Sequence, residues 1–147
     1  MTTQVCDTIQ INQDEHVFYE MPLEDYWKQN YNKPSLNSLT TSLTSRGYYS
    51  KWLIENSKLF LIDFYGECII AKTENPLTLG RKEYSLADIF PNEPSKVFAA
   101  WFTGELKIQL GDMIEYHHGG VGGTYAYNTT IVIQNGVVVN PGSFALE

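Results

Sequence analysis

The residues best suited to chemistry lie in one stretch of the chain, EYHHGGVGGTYAY, at residues 115–127. It contains two of the three histidines, and an imidazole that titrates near neutral pH can act as a general acid or base. On a strand, Glu115 and His117 would share one face, and a carboxylate beside an imidazole could form half of a metal site. His16 or Asp112 would have to complete that site, and no spacing requires this, so we expect neither a metal nor a cofactor.

The glycines at Gly119–Gly123 could hold a phosphate through their backbone amides. A phosphate-binding loop of the P-loop type, however, opens a helix with Lys and Ser or Thr after its last glycine, whereas Thr124 opens a strand-like segment. We therefore predict a wide hairpin loop in which glycine supplies positive φ angles. The alternative is a small-molecule or carbohydrate-binding or hydrolytic site at this loop, with His117 or His118 as the acid or base and a carboxylate such as Asp112 nearby.

Two tyrosines follow the glycines on one face of the next strand, Tyr125 and Tyr127. Tyrosine combines an apolar ring with a polar hydroxyl, so an exposed pair suits a protein interface or a sugar-binding surface, whereas a half-buried pair would only support the sheet. Together with the residues that precede the glycines, they predict a protein interface formed by Asp112, Glu115, His117, Tyr125 and Tyr127.

No motif of a familiar enzyme class accompanies these residues. The chain has no GxSxG elbow, no HExxH helix and no CxxC pair, so we expect a protein that is not an enzyme. Its two cysteines, Cys6 and Cys68, are far apart in the sequence. This spacing indicates buried thiols in a reducing compartment rather than a disulfide framework.

The charge balance argues against nucleic acid as a ligand. The 147 residues carry 17 acidic and 10 basic side chains, a net charge of -7, and phosphate backbones repel such a surface. The same charge attracts a basic protein and speeds its docking. No apolar run approaches the roughly 20 residues of a membrane helix, and the N-terminal residues show no signal-peptide pattern. We therefore expect a cytoplasmic protein without a membrane segment.

The elements that must position these residues are mostly strands. Alternating apolar residues predict a hairpin over 7–20 with its turn at 12–15, and Pro22 followed by two acidic residues predicts a short helix. The helix carries its larger apolar residues on one face: Leu23, Tyr26 and Trp27. Residues 31–46 are rich in Ser, Thr and Asn and predict a long, mobile loop.

The rest of the chain predicts further strands. In the first of them alternate residues face the core: Tyr48, Ser50, Trp52 and Ile54. A tight turn is predicted at 56–58, a buried strand over 59–65, a connection or edge hairpin over 73–83, and strands over 96–110 with a bend at Gly104, over 113–118 and over 124–134. Ser85 is predicted to cap one helical turn with Asp88, and Asn135-Gly136 predicts a two-residue hairpin turn. The fold class is therefore α+β, a single domain of residues 1–147 dominated by antiparallel sheet with one or two short helices.

Parts of the chain resemble a group of small, functionally uncharacterised bacterial proteins. Those chains share an RGY-x-x-x-W strand, a short acidic helix that ends in LFP, and a VFA-x-WFTG-x-L-x-I strand pair. The counterparts here are Arg46–Tyr48, Trp52, Ile89–Pro91 and Val97–Ile108. The resemblance spans roughly residues 46–139 and implies a kind of protein rather than a mechanism. The glycine stretch departs from the group's pattern, in which a single histidine or methionine stands between tyrosine and glycine, and this weakens a histidine-centred function.

Size, charge and the missing motifs favour a non-enzymatic bacterial interaction protein. An immunity protein or antitoxin is such a protein, because it binds and blocks a toxin, and an acidic face suits a basic toxin. An exposed acidic or aromatic patch would favour this hypothesis, and a concave pocket holding a histidine and a carboxylate would favour the small-molecule site instead. A third hypothesis is a subunit that forms homo-oligomers through an exposed sheet edge or face.

Overall fold

The computed structural model describes residues 7–36, 47–72, 75–93, 95–116 and 123–146, with only the backbone described in 69–72, 75–81, 112–116 and 123–126. The elements of these residues are β1 (Asp7–Ile11), β2 (Asp14–Phe18), α1 (Pro22–Asn30), β3 (Tyr48–Glu55), β4 (Lys58–Lys72), β5 (Asn75–Ser85), α2 (Leu86–Ile89), β6 (Val97–Phe98), β7 (Gly104–Tyr116), β8 (Gly123–Gln134) and β9 (Val137–Asn140). The predicted α+β class, with a dominant sheet and two short helices, is confirmed.

The strands form one sheet that closes on itself. Its strand order is β3-β1-β2-β7-β8-β9-β4-β5, and β4 also pairs with β3, so the path returns to its first strand. The neighbours are antiparallel except for β1 and β3, which are parallel. The side chains that face inward, with those of α1 and the loop after β6, form a single buried core.

Within the part of the chain that the structure describes, three hairpins turn at two-residue loops whose residues have positive φ angles, namely Asn12-Gln13, Asn56-Ser57 and Asn135-Gly136. Such turns match the twist of the strands they join, and asparagine and glycine accept this conformation most readily. The Asn135-Gly136 turn is confirmed. The other two turns are shorter than predicted, because β2 already begins at Asp14 and β4 at Lys58.

The predicted inward face of β3 is confirmed. In the neighbouring strand β4, the alternation of inward-facing and outward-facing residues is interrupted once. Tyr48, Ser50, Trp52 and Ile54 are all buried. In β4 the register shifts, because Lys51 lies opposite Asp63 whereas Trp52 lies opposite Leu61. Ile62 is thus the extra residue of a β-bulge, and it moves the inward face from odd to even positions.

A chain of polar groups crosses the core beside this bulge. The backbone N–H of Ser50 donates to Asp7 Oδ1 (2.8 Å), and the indole Nε1–H of Trp52 donates to Ser50 Oγ (2.8 Å). All three residues are buried. These bonds tie the start of β1 to β3 and satisfy an indole N–H that would be costly to bury alone.

Helix α1 begins at Pro22, as predicted, and ends at Asn30. It buries Leu23 and Trp27, with Tyr26 packed beside them. Trp27 stands edge-on to Tyr48, with ring centroids 5.3 Å apart. The short helix α2 starts at the predicted cap, where the Ser85 N–H and Oγ donate to Asp88 Oδ2 at 2.7 and 3.1 Å. These hydrogen bonds, first from the backbone and then from the side chain of Ser85, lower the pKa of Asp88.

Four predictions about strands and the segments between them need correction or completion. The separate strand predicted over 113–118 is wrong for its described residues, 113–116, because β7 runs without a break from Gly104 to Tyr116, with a bulge near Gly111 (φ 77). The strand predicted from residue 96 is wrong beyond Phe98, because 99–103 form a loop. Of the predicted loop at 31–46, residues 31–36 have no regular structure and 37–46 lie outside the described residues. The polar segment after Lys72 is an edge hairpin, since β5 pairs with β4 over 75–85.

Candidate functional site

The structure brings the predicted interface residues onto one hairpin, β7–β8, as far as its described residues reach. Asp112 and Glu115 lie on β7 and Tyr125 and Tyr127 on β8, with Tyr125 opposite Met113. Tyr127 is 62% exposed, although it shares a strand face with buried isoleucines further along β8. The sheet therefore extends beyond its core at this point. Of this predicted interface, the Tyr127 side chain is the one that the structure describes.

The glycine stretch joins two antiparallel strands, since Tyr116 lies opposite Gly123 across β7 and β8. The residues between them, among them His117 and His118, lie outside the described residues. The predicted hairpin loop and the alternative histidine site there therefore stay predictions. Within the described residues, no group of three His, Cys, Asp or Glu side chains could hold a metal ion, and neither helix is long and apolar enough to cross a membrane.

The described side chains form a different concave surface, between α1 and the loop 99–103. Three adjoining clefts compose it, and we call them together the α1 groove. A cleft of about 490 Å³ lies between Asp25, Lys28 and Gln29 of α1 and Trp101, Thr103 and Asn135. A second, of about 320 Å³, shares Asp25, Lys28 and Thr103 with it and continues toward the start of β7. A third, of about 450 Å³, begins on the other side of Trp101 and reaches Phe90.

Trp101 is the central wall of the α1 groove and is held in place on several sides. Its Nε1–H donates to the Pro22 carbonyl oxygen (2.8 Å), and its own carbonyl oxygen accepts from Gln29 Nε2 (3.1 Å). Its ring stacks on Phe90, with centroids 5.9 Å apart and an interplanar angle of 10°, and meets Tyr26 edge-on at 4.9 Å. The indole is half-buried, so the groove has a rigid aromatic wall with part of its surface accessible.

Acidic side chains predominate along the α1 groove. The first two clefts are lined by Glu20, Glu24, Asp25 and Glu105 against one cation, Lys28. Glu20 Oε1 already accepts from the backbone N–H of Lys107 (3.0 Å). Within the described residues, Asp25 and Glu105 have no hydrogen-bond or ion-pair partner.

Glu24 is the acidic residue that the fold itself uses. Its carboxylate accepts from the hydroxyl of the fully buried Tyr48 (2.5 Å) and from Lys33 Nζ (3.0 and 3.2 Å). Lys33 Nζ also lies over the Trp27 ring, 5.2 Å from its centroid. This network fastens α1 and the segment after it to β3. The carboxylates with capacity for a ligand are therefore Asp25 and Glu105.

The sequence did not predict the α1 groove. Trp101 lies in an apolar run, VFAAWF, whose aromatic residues are typical of a buried strand. Its partial exposure depends on the loop 99–103. A signal was present in the acidic residues of the first turn of α1, which face no predicted partner.

Comparison with known proteins found no match among family models, curated proteins or solved structures.

Proposed function

We propose that the protein is a non-enzymatic binding protein that docks onto a basic partner protein, as an immunity protein or antitoxin covers a toxin. The observation that carries the proposal is the α1 groove, which combines unpaired carboxylates with a fixed aromatic wall. Acidic clefts attract cationic partners and raise the rate of encounter, and well-packed aromatic residues supply much of the binding energy at protein interfaces.

The rigidity of the groove favours binding over catalysis. Trp101 is fixed by hydrogen bonds at both its indole and its carbonyl oxygen, so little conformational entropy is lost when a partner packs against it. An interface of standard size covers about 800 Å² on each partner, so a docked protein would extend from the groove onto neighbouring exposed side chains. Met21, which lines the second cleft and is 46% exposed, is one of them.

The hairpin β7–β8 offers a second surface for the same function. It carries the exposed Tyr127. Strand β2 pairs with β7, and the exposed acidic residues at the start of β2, Asp14 and Glu15, lie toward the same end of the sheet as Asp112. The test must therefore separate the hairpin from the groove.

Affinity capture with matched charge reversals makes this separation. Tagged wild-type protein is compared with Asp25→Lys/Glu105→Lys and with Asp14→Lys/Glu15→Lys, which change the net charge equally. We expect the wild type to capture a stoichiometric basic protein whose binding weakens as salt rises, the groove variant to lose it, and the β2 variant to keep it.

Two results would contradict this proposal. One is a partner that is retained by the groove variant and lost with the β2 variant or with Tyr127→Ala, which would move the interface to the hairpin. The other is the absence of any protein partner, with a bound metabolite recovered instead. Folding of each variant is checked by its circular dichroism and its thermal unfolding midpoint.

A further inference from the structure

We infer that one cleft of the α1 groove is an arginine pocket, in which the partner inserts one guanidinium group between Trp101 and Asp25. This inference rests on the proposed function and names the chemistry that the site recognises. It concerns the cleft of about 490 Å³ between α1 and the loop 99–103, a space large enough for one long side chain and its neighbouring backbone.

The walls of this cleft present the groups that a guanidinium binds. On one side lies the unpaired carboxylate of Asp25, and on the other the fixed indole of Trp101. Guanidinium is planar, keeps its charge at every physiological pH, pairs with carboxylates and packs against aromatic rings. An ammonium group on a lysine is more strongly hydrated and has no flat surface to place against Trp101.

The remaining wall is polar and already ordered. Thr103 Oγ1 accepts from the backbone N–H of Asn135 (2.9 Å) and lies 3.4 Å from Asn135 Oδ1. These oxygens keep lone pairs for further donors, and a guanidinium has five N–H groups to distribute. Lys28 also lines this cleft and is exposed, and its charge disfavours more than one further cation there, so the pocket fits a single arginine.

A titration with short peptides tests the pocket directly. The probes are capped Ser-Gly-Arg-Gly-Ser and the same peptide with citrulline or lysine at the centre. The indole N–H resonances of the three tryptophans report binding, with Trp101 assigned through Trp101→Phe. We expect the arginine peptide to shift the Trp101 signal saturably, the lysine peptide to bind more weakly, and the citrulline peptide to leave it unchanged.

Two variants test whether the Asp25 carboxylate binds the guanidinium group. Asp25→Asn keeps the size of the side chain and should weaken the arginine peptide roughly five- to tenfold, as expected for the loss of a charge-assisted contact. Glu93→Gln, in the third cleft near Phe90, should change binding less than about twofold, since it removes the same charge outside the pocket. Retention of all three indole signals shows that the variants are folded.

The outcomes separate this inference from the proposed function. Equal binding of arginine and citrulline peptides, or a Trp101 signal that does not move with the arginine peptide, overturns the arginine pocket. If the Asp25→Lys/Glu105→Lys variant still loses the captured protein in that case, the proposed function stands without the arginine pocket. If the arginine peptide binds at Trp101 but no captured protein depends on the groove, the pocket stands and the proposed function fails.

Discussion

Gly136 is a position at which one added methyl group should strongly destabilise the fold. It has φ +82, a conformation that L side chains rarely adopt, and a Cβ atom there would lie 2.6 Å from the carbonyl oxygen of Ala99 and 2.9 Å from its carbon. Its N–H donates to the Phe102 carbonyl oxygen (2.9 Å), and its carbonyl oxygen accepts from Leu59 N–H (2.8 Å). The glycine thus connects the β8–β9 turn, β4 and the loop that carries Trp101.

Two costs add in Gly136→Ala. The left-handed backbone conformation costs an alanine about 1–2 kcal/mol, and forcing a methyl group against backbone atoms costs about 1–3 kcal/mol. The sum, about 2–5 kcal/mol, is a large part of the roughly 5–15 kcal/mol by which a domain is stable. For a chain of this length the thermal midpoint should fall by roughly 10 °C.

Gly104→Ala is the matched control. Gly104 has no positive φ, and its nearest neighbour for an added Cβ is the Phe102 ring at 3.2 Å, a side chain that can move. We expect its free energy of unfolding to stay within about 1 kcal/mol of the wild type. Urea unfolding followed by tryptophan fluorescence compares the three proteins. If Gly136→Ala is no less stable than Gly104→Ala, the argument from the φ angle and the short Ala99 contact is wrong.

Three further predictions concern the core, α2 and the hairpin. Ser50→Ala removes the acceptor of the Trp52 indole N–H and should lower the free energy of unfolding in urea by about 1–3 kcal/mol, because a buried donor is left unpaired; a loss no larger than that of an exposed Ser→Ala variant would contradict it. Because Ser85 holds the pKa of Asp88 below its ordinary value, Asp88 should stabilise the fold above about pH 4 and lose this effect as the pH falls through the lowered pKa; Asp88→Asn should therefore flatten the acid side of a stability-against-pH curve, and an unchanged curve would refute the assignment. Tyr127→Ala should leave the thermal midpoint within about 2 °C of the wild type, because the side chain is exposed, and a larger fall would show that the ring is packed.

The sequence predicted those elements whose cause is local. The alternation in 48–55 identified the inward face of β3, because period-two patterns map directly onto the two faces of a strand. Asn135-Gly136 identified its turn because few residue pairs accept two successive positive φ angles. The start of α1 at Pro22 and the cap of α2 at Ser85 followed from the same kind of short-range chemistry.

The features that the sequence did not predict depend on residues far apart in the chain. Nothing in the neighbourhood of Lys58 shows that it pairs with Val137, so the closure of the sheet was not foreseen. The apolar run that contains Trp101 lacks alternation, and such a run is equally compatible with a strand and with a packed loop. The α1 groove exists only when that loop lies beside the helix, which is why its acidic and aromatic residues could not be joined from the sequence.

The closure of the sheet at β4 and β9 also has a consequence for the order of folding. This seam contains one residue pair, Lys58 with Val137, supported by hydrogen bonds from Leu59 N–H to Gly136 and from Val138 N–H to Ser57. The hairpins β3–β4 and β7–β8 need only sequence neighbours, whereas the seam must bring together segments separated by more than half of the chain, and such contacts form slowly. The seam should therefore form after the hairpins and open before them, and the amides of Leu59 and Val138 should exchange with solvent earlier than those of β3 and β7.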